Sequence, residues 1–312
     1  MRTPFSRFKG SGDSVCWSSR LEVSMRMAAG VLCLALVAGC APAAPQDTAY
    51  AATIPPLALI LQELCGDHAE VRHLLRAGAS PHTYEPRPSD ARAVEQARAF
   101  FYVAEDLDGW AATFTARRTL RVADWVPEAM RLSWSDNDHA HEHADFNTHF
   151  WSDPLVVRAM LPAFVAALSE VDPEGAPLYE ANAADFAERL DELDTTLREL
   201  FTPVAGAAVA QFHPSWDYFL VRYGIEIAGV IEPFAGKEAS PQYLHRLVQT
   251  LESRGVKAVL TEPQLPRRPA EVVADAGGWP LFEIDPIGGA PGRETYADLL
   301  LYNAKVLRGA LE

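Results

Sequence analysis

From about residue 50 onward, short apolar runs alternate with longer stretches in which apolar residues recur every three or four positions. The short runs have strand length and the longer ones the helical period, so the order predicts an α/β protein. Pro55-Pro56 opens a helix through Leu64, and Gly66 stops it. Residues 71–75 predict a short strand, 89–98 a helix capped by Ser89, 99–104 a buried parallel strand, 109–114 a short helix and 120–125 another strand. Asp153-Pro154 starts a helix running to residue 171, and Pro173 interrupts. Then comes one long amphipathic pattern over 178–201, with Leu178, Phe186, Leu190, Leu193, Leu197 and Leu200 apolar and acids between them. About 24 residues at ~1.5 Å each reach ~36 Å, enough to cross a domain. This helix is the expected link between two lobes.

Beyond it the same logic returns. Strands are predicted at 206–212, 225–231, 256–260 and 280–284. Helices are predicted at 215–223, from Ser240-Pro241 to Gly255, at 269–276 and at 293–311. The resulting division is an N-terminal extension with an export signal (1–39), a tether (40–50), a first α/β lobe (51–173), a linking helix (174–203) and a second α/β lobe (204–312).

The N-terminus changes the picture first. Met25-Arg26-Met27 precedes an apolar run over 28–38 that is too short for a permanent membrane span and has the charge-then-apolar order of an export signal. Val37-Ala38-Gly39-Cys40 resembles a bacterial lipobox, which implies a lipid on Cys40 and an extracytoplasmic, membrane-anchored protein. Cys16 and Cys33 fall in the removed segment, so Cys65 is the one thiol left and no disulfide is expected. The 312 residues carry 27 basic and 42 acidic side chains, a formal charge of −15, and no basic run occurs. That balance argues against a nucleic-acid partner.

The candidate chemistry is histidine. Residues 136–154 hold His139, His141, His143 and His149 among Asp136, Asp138, Glu142, Asp145 and Asp153. Imidazole with carboxylate is the ligand set of a borderline cation such as zinc. The alternating trio His139, His141 and His143 reads either as a solvated polar loop or as an auxiliary metal loop. His149 differs, since bulky Phe150-Trp151 and a helix start follow it. His82 lies in a loop stiffened by Pro81 and Pro86, which lowers the entropy lost on binding. His213 and Asp285 are each the first polar residue after an apolar strand. Singly, His213 reads as a helix-start residue and Asp285 as a cap or turn residue. Together, two lobes facing each other across their strand ends would bring all four into one cleft. Three imidazoles and one carboxylate form a closed set that suits binding and not catalysis, because a catalytic zinc keeps a position for water.

Several segments resemble the zinc/manganese ABC-importer solute-binding proteins. They are the run from Gly78 to Pro86, Thr148-His-Phe-Trp-Ser-Asp-Pro, Phe212-His-Pro-Ser-Trp-Asp-Tyr-Phe with Arg222-Tyr-Gly, Gly236-Lys-Glu-Ala-Ser-Pro and Ile284-Asp-Pro-Ile-Gly. Tyr179-Glu-Ala-Asn-Ala resembles the start of that family's linking helix. The resemblance implies two lobes with parallel sheets, one long rigid linking helix, a metal in the interlobe cleft and hand-over to a membrane permease, by a monomer. It carries the metal ligands onto His82, His149, His213 and Asp285. In that family a third ligand of His goes with zinc and of Glu with manganese, so His213 implies Zn2+, with Mn2+ as the second ion. Ala239 stands where Pro is frequent, and Asn147 where Asp is common.

Rival readings have less to stand on. His139-Ala-His141-Glu-His143 resembles the His-x-His opening of zinc hydrolases, but the Asp-His pair that should follow is missing. The sequence contains neither His-Glu-x-x-His nor Gly-x-Ser-x-Gly. An adhesin or a manganese or iron importer component would retain the same metal site.

Overall fold

A computed structural model of the protein describes residues 50–134, 146–234 and 236–312. The export segment, Cys40, positions 40–49 of the tether and the trio His139, His141 and His143 lie outside the described residues.

Two parallel sheets carry the fold. The first holds β1 (Tyr50–Ala52), β2 (Val71–His73), β3 (Ala99–Tyr102) and β4 (Thr119–Arg121), in the order β2-β1-β3-β4. The second holds β5 (Ala208–Gln211), β6 (Glu226–Val230), β7 (Ala258–Thr261) and β8 (Leu281–Glu283), in the matching order β6-β5-β7-β8. In each sheet the chain steps to one side of its first strand, then crosses back to the other. That reversal leaves a crevice beyond the carboxyl ends of the central strands, where such sheets hold ligands.

Helices cover both sheets: α1 (Pro55–Cys65), α2 (Pro88–Gln96), α3 (Glu105–Asp108), α4 (Pro154–Val171), α5 (Ala176–Phe201), α6 (Asp217–Arg222), α7 (Pro241–Ser253), α8 (Arg267–Gly277) and α9 (Tyr296–Ala310). The expected long helix is α5. Its 26 residues reach ~39 Å and pack against α4, α1 and α9. Its buried stripe is Tyr179, Phe186, Leu190, Leu193, Leu197 and Phe201. Tyr179 replaces the expected Leu178, which is 38% exposed, because position 178 lies one helical step (~100°) off the stripe. The Tyr179 hydroxyl then donates to Asp172 at 2.8 Å and meets the Tyr50 hydroxyl at 3.1 Å.

One apolar core runs from the first sheet through α4, α5 and α6 to α9. Smaller clusters fill the other face of each sheet, one beneath α2 and one beneath α7 and α8.

Three local expectations are revised. Tyr50, assigned above to the tether, is fully buried and begins β1. Tyr-Ala-Ala is too short and too rich in alanine to announce a strand, and its neighbours on both sides make it one. Helix α2 begins at Pro88 instead of Ser89, since the Asp90 carboxylate accepts the backbone N–H of Arg87 at 2.7 Å. The strand expected over 120–125 stops at Arg121 and tightens into a 3-10 turn, Val122–Trp125.

Candidate metal centre

His82 sits in a 3-10 turn, Pro81–Thr83, in the loop after β2. Trp110 holds that turn by donating its indole N–H to the Pro81 carbonyl at 2.8 Å. His149 immediately precedes the 3-10 turn Phe150–Ser152, ahead of α4. His213 lies just beyond β5. The three rings meet with centroids 4.9 to 5.5 Å apart. One ring nitrogen from each lies within 4.8 Å of the other two. His149 and His213 are buried and His82 is partly exposed.

Each imidazole has its Nδ1 against an oxygen. That of His149 meets the Asn147 side-chain oxygen at 2.8 Å, that of His213 the Glu232 carbonyl at 3.2 Å, and that of His82 the Asp106 carbonyl at 3.3 Å. Such oxygens only accept, so each Nδ1 carries the proton and the lone pair moves to Nε2. Orienting partners of this kind fix the ligating nitrogen before a metal arrives. Asn147, standing where Asp is common, orients His149 through its side-chain oxygen. Its amide nitrogen donates to the Pro214 carbonyl at 2.7 Å and to Asp217 at 3.1 Å, which turns its oxygen toward His149. The same oxygen accepts the backbone N–H of His149 at 2.9 Å.

Loops from both sheets close on the group. Thr148 donates to the Asp106 carboxylate at 3.1 Å, tying the His149 loop to the residue whose carbonyl holds His82. Trp151 packs on His149 and donates to the Pro286 carbonyl at 2.8 Å. Gly236 has φ +80, and a Cβ there would come within 3.2 Å of the Thr83 methyl, so glycine suits this crossing twice over. The space between them is about 10 Å³, lined by His82, His149, His213, Ser215, Glu262 and Gln264 among others. Its size suits a single ion.

Asp285, the fourth residue expected, is buried close by but is not part of the histidine group. Its Oδ1 accepts from the Gln264 amide at 2.6 Å and from the backbone N–H groups of Ile287 at 3.1 Å and Gly288 at 3.0 Å. Its Oδ2 faces Arg293 at 3.5 Å.

Two acids escaped the sequence reading. Glu262 follows β7 and Glu232 follows β6, and both are buried. They show the signal that pointed to His213 and Asp285, a polar residue directly after an apolar strand. Burial pushes the Glu262 carboxyl up to about 8, the Ser215 hydroxyl donating to it at 2.7 Å pulls the other way, and the Asp285 and Glu232 carboxylates push further up. Burial likewise raises Glu232 and Asp106. In the unfolded chain Glu262 loses its proton near ~4.3, while the folded protein keeps it until about 8. Its stabilising contribution is therefore complete below that lower value and disappears as pH rises through the upper one. Glu262→Gln keeps an acceptor for Ser215 and cannot ionise. In metal-free protein, its melting temperature relative to the parent is expected to climb between pH 5 and pH 9, by the equivalent of a few kcal/mol. A difference that stays flat across that range would show that Glu262 is already ionised in the fold.

Residues 51–310 match the family model of the zinc-uptake complex component A, periplasmic (ZnuA). The chain belongs to this family. The ZnuA family is one of metal-transport binding proteins, not of enzymes. Among its relatives, the high-affinity zinc uptake system protein ZnuA of Paracoccus denitrificans is 27% identical over 307 residues, covering 86% of this chain and 94% of that protein. The manganese-binding lipoprotein MntA of Halalkalibacterium halodurans is 26% identical, covering 78% and 82%. A crystal structure of ZnuA superposes with a TM-score of 0.72 at 25% identity, covering 85% of this chain and all of that one.

Proposed function

We propose that the protein is the extracytoplasmic zinc-binding component of an ABC importer, capturing Zn2+ between its two sheets and handing it to a membrane permease. The observation that carries this reading is the convergence of His82, His149 and His213, each oriented through Nδ1, around a space of about one ion. Three neutral imidazoles favour zinc over manganese, which prefers oxygen donors. The Paracoccus relative, named for high-affinity zinc uptake, supports the same choice. Asp285, held by Gln264 from the lining of that space, is the carboxylate we assign as fourth ligand. His139, His141 and His143 act as an auxiliary loop that gathers zinc and passes it on, while the tight site is that of His82, His149 and His213. The protein acts as a monomer anchored by a lipid on Cys40, and it carries out no catalytic step.

Elemental analysis of the purified protein is expected to find one zinc per chain, resistant to displacement by equimolar manganese. Protein that takes up manganese in preference, or no divalent ion at all, overturns the reading.

A further inference from the structure

The surroundings of Asp285 hold a feature that ligand matching does not account for. Its backbone is pinned to α9, with its N–H donating to the Asn303 side-chain oxygen at 2.6 Å and its carbonyl accepting from the Asn303 amide at 2.8 Å. The three donors on Oδ1, from Gln264, Ile287 and Gly288, use up that oxygen's capacity to accept. Only Oδ2 is left to bind a cation, and Arg293 faces it. The Arg293 side chain is 12% exposed, and its guanidinium carbon stacks 3.8 Å from the Tyr302 ring centroid. Its Nε meets no acceptor among the described residues. The guanidinium is thus held by one ring face and one ion pair at 3.5 Å, a contact longer than a charge-assisted hydrogen bond.

We propose that Arg293 is a positioning residue that competes with the bound cation for Asp285 Oδ2, holding the carboxylate while the histidines are empty and yielding it when an ion enters. The inference rests on the proposed function, in which a divalent cation is held by the three histidines with Asp285 as fourth ligand. Its physical basis is the cost of a buried charge without a partner. With Arg293 in place, the carboxylate is compensated before the metal arrives, so the metal gains less by taking it. Without Arg293, the buried carboxylate would keep its three N–H donors but lose its counter-charge, and an entering dication would supply one. Arg293 therefore tempers affinity and supplies the replacement partner that lets the ion leave, as delivery to a permease requires.

The test uses the full chain and zinc alone. Arg293→Met keeps the stem over Tyr302 and removes the charge. It is expected to tighten zinc binding about tenfold, with the gain in a slower dissociation into chelator and little change in association. Arg293→Lys, which keeps a charge, should restore part of the parent's faster release. Asp285→Asn should cancel the gain, so that Arg293→Met on that background changes nothing. Unchanged or weaker binding by Arg293→Met, with its melting transition intact, overturns the proposal. So does an equal gain on the Asp285→Asn background, which would reduce Arg293 to a distant repelling charge. If Arg293→Met does not fold, Arg293→Gln takes its place in the cycle with the same expectations. A parent protein that binds no zinc removes the reading beneath, which is a separate result from a parent that binds while Arg293→Met fails to tighten.

Discussion

His149→Ala is expected to weaken zinc binding by well over a hundredfold, the largest effect of any single change at the site. His149 is 2% exposed, and Asn147 accepts both its backbone and its ring N–H, so no other donor is as fully arranged in advance. Losing an orienting partner alone costs roughly 10–100-fold in metal affinity, and losing the ligand itself should cost more. The buried space left behind would also strip Trp134 and Trp151 of the ring they pack on. His82→Ala should do less, because its partly exposed position allows water to stand in. Competition titration against a chelator of known affinity measures both. Parent-like zinc affinity in folded His149→Ala would remove His149 from the ligand set.

The second large effect concerns the frame. Arg222→Met should cost about 3 kcal/mol in urea unfolding, at the low end for breaking a buried ion pair. Asp153 does two jobs. Its Oδ1 caps α4 by accepting from Leu155 at 2.8 Å and Val156 at 3.4 Å. Its Oδ2 accepts from Arg222 through Nε at 2.8 Å and Nη2 at 2.7 Å, which ties the first helix after His149 to the one after His213. Burial pushes the Asp153 carboxyl above its ordinary value, and the guanidinium is the main force opposing that push. Without Arg222, an acid 3% exposed keeps its burial and loses its counter-charge. A loss below about 1 kcal/mol would mean that water, reaching the 26% of Arg222 that is exposed, already screens the pair.

Local rules go far in reading this chain. Pro55-Pro56, Asp153-Pro154 and Ser240-Pro241 open helices where capping chemistry says they should, and Ser240 accepts from Tyr243 as a cap must. His213 was legible because a polar residue ending an apolar strand has few reasons to be there. What stayed hidden depends on contacts distant in sequence. Tyr50–Ala52 becomes a strand only because β2 and β3 flank it. The hold on Asp285 comes from Gln264, 21 residues earlier, and from Arg293 across a turn. No spacing rule announces either. Glu262 and Glu232 were within reach of the strand-end signal and went unread because glutamate at a strand end is usually just solvated.

The shared core bears on how such proteins can be recombined. Phe201 near the end of α5 stacks 5.8 Å from Tyr223 and meets Phe219 edge-on at 5.4 Å, and Phe186 meets Tyr296 of α9 at 5.9 Å. A chimera that borrowed the second lobe of a relative at the boundary of α5 would cut through all three pairs and leave both halves with an unmatched aromatic face. The exchangeable module is thus the whole body from residue 50 to residue 312, or a lobe taken together with α5, α6 and α9 and repacked along that seam.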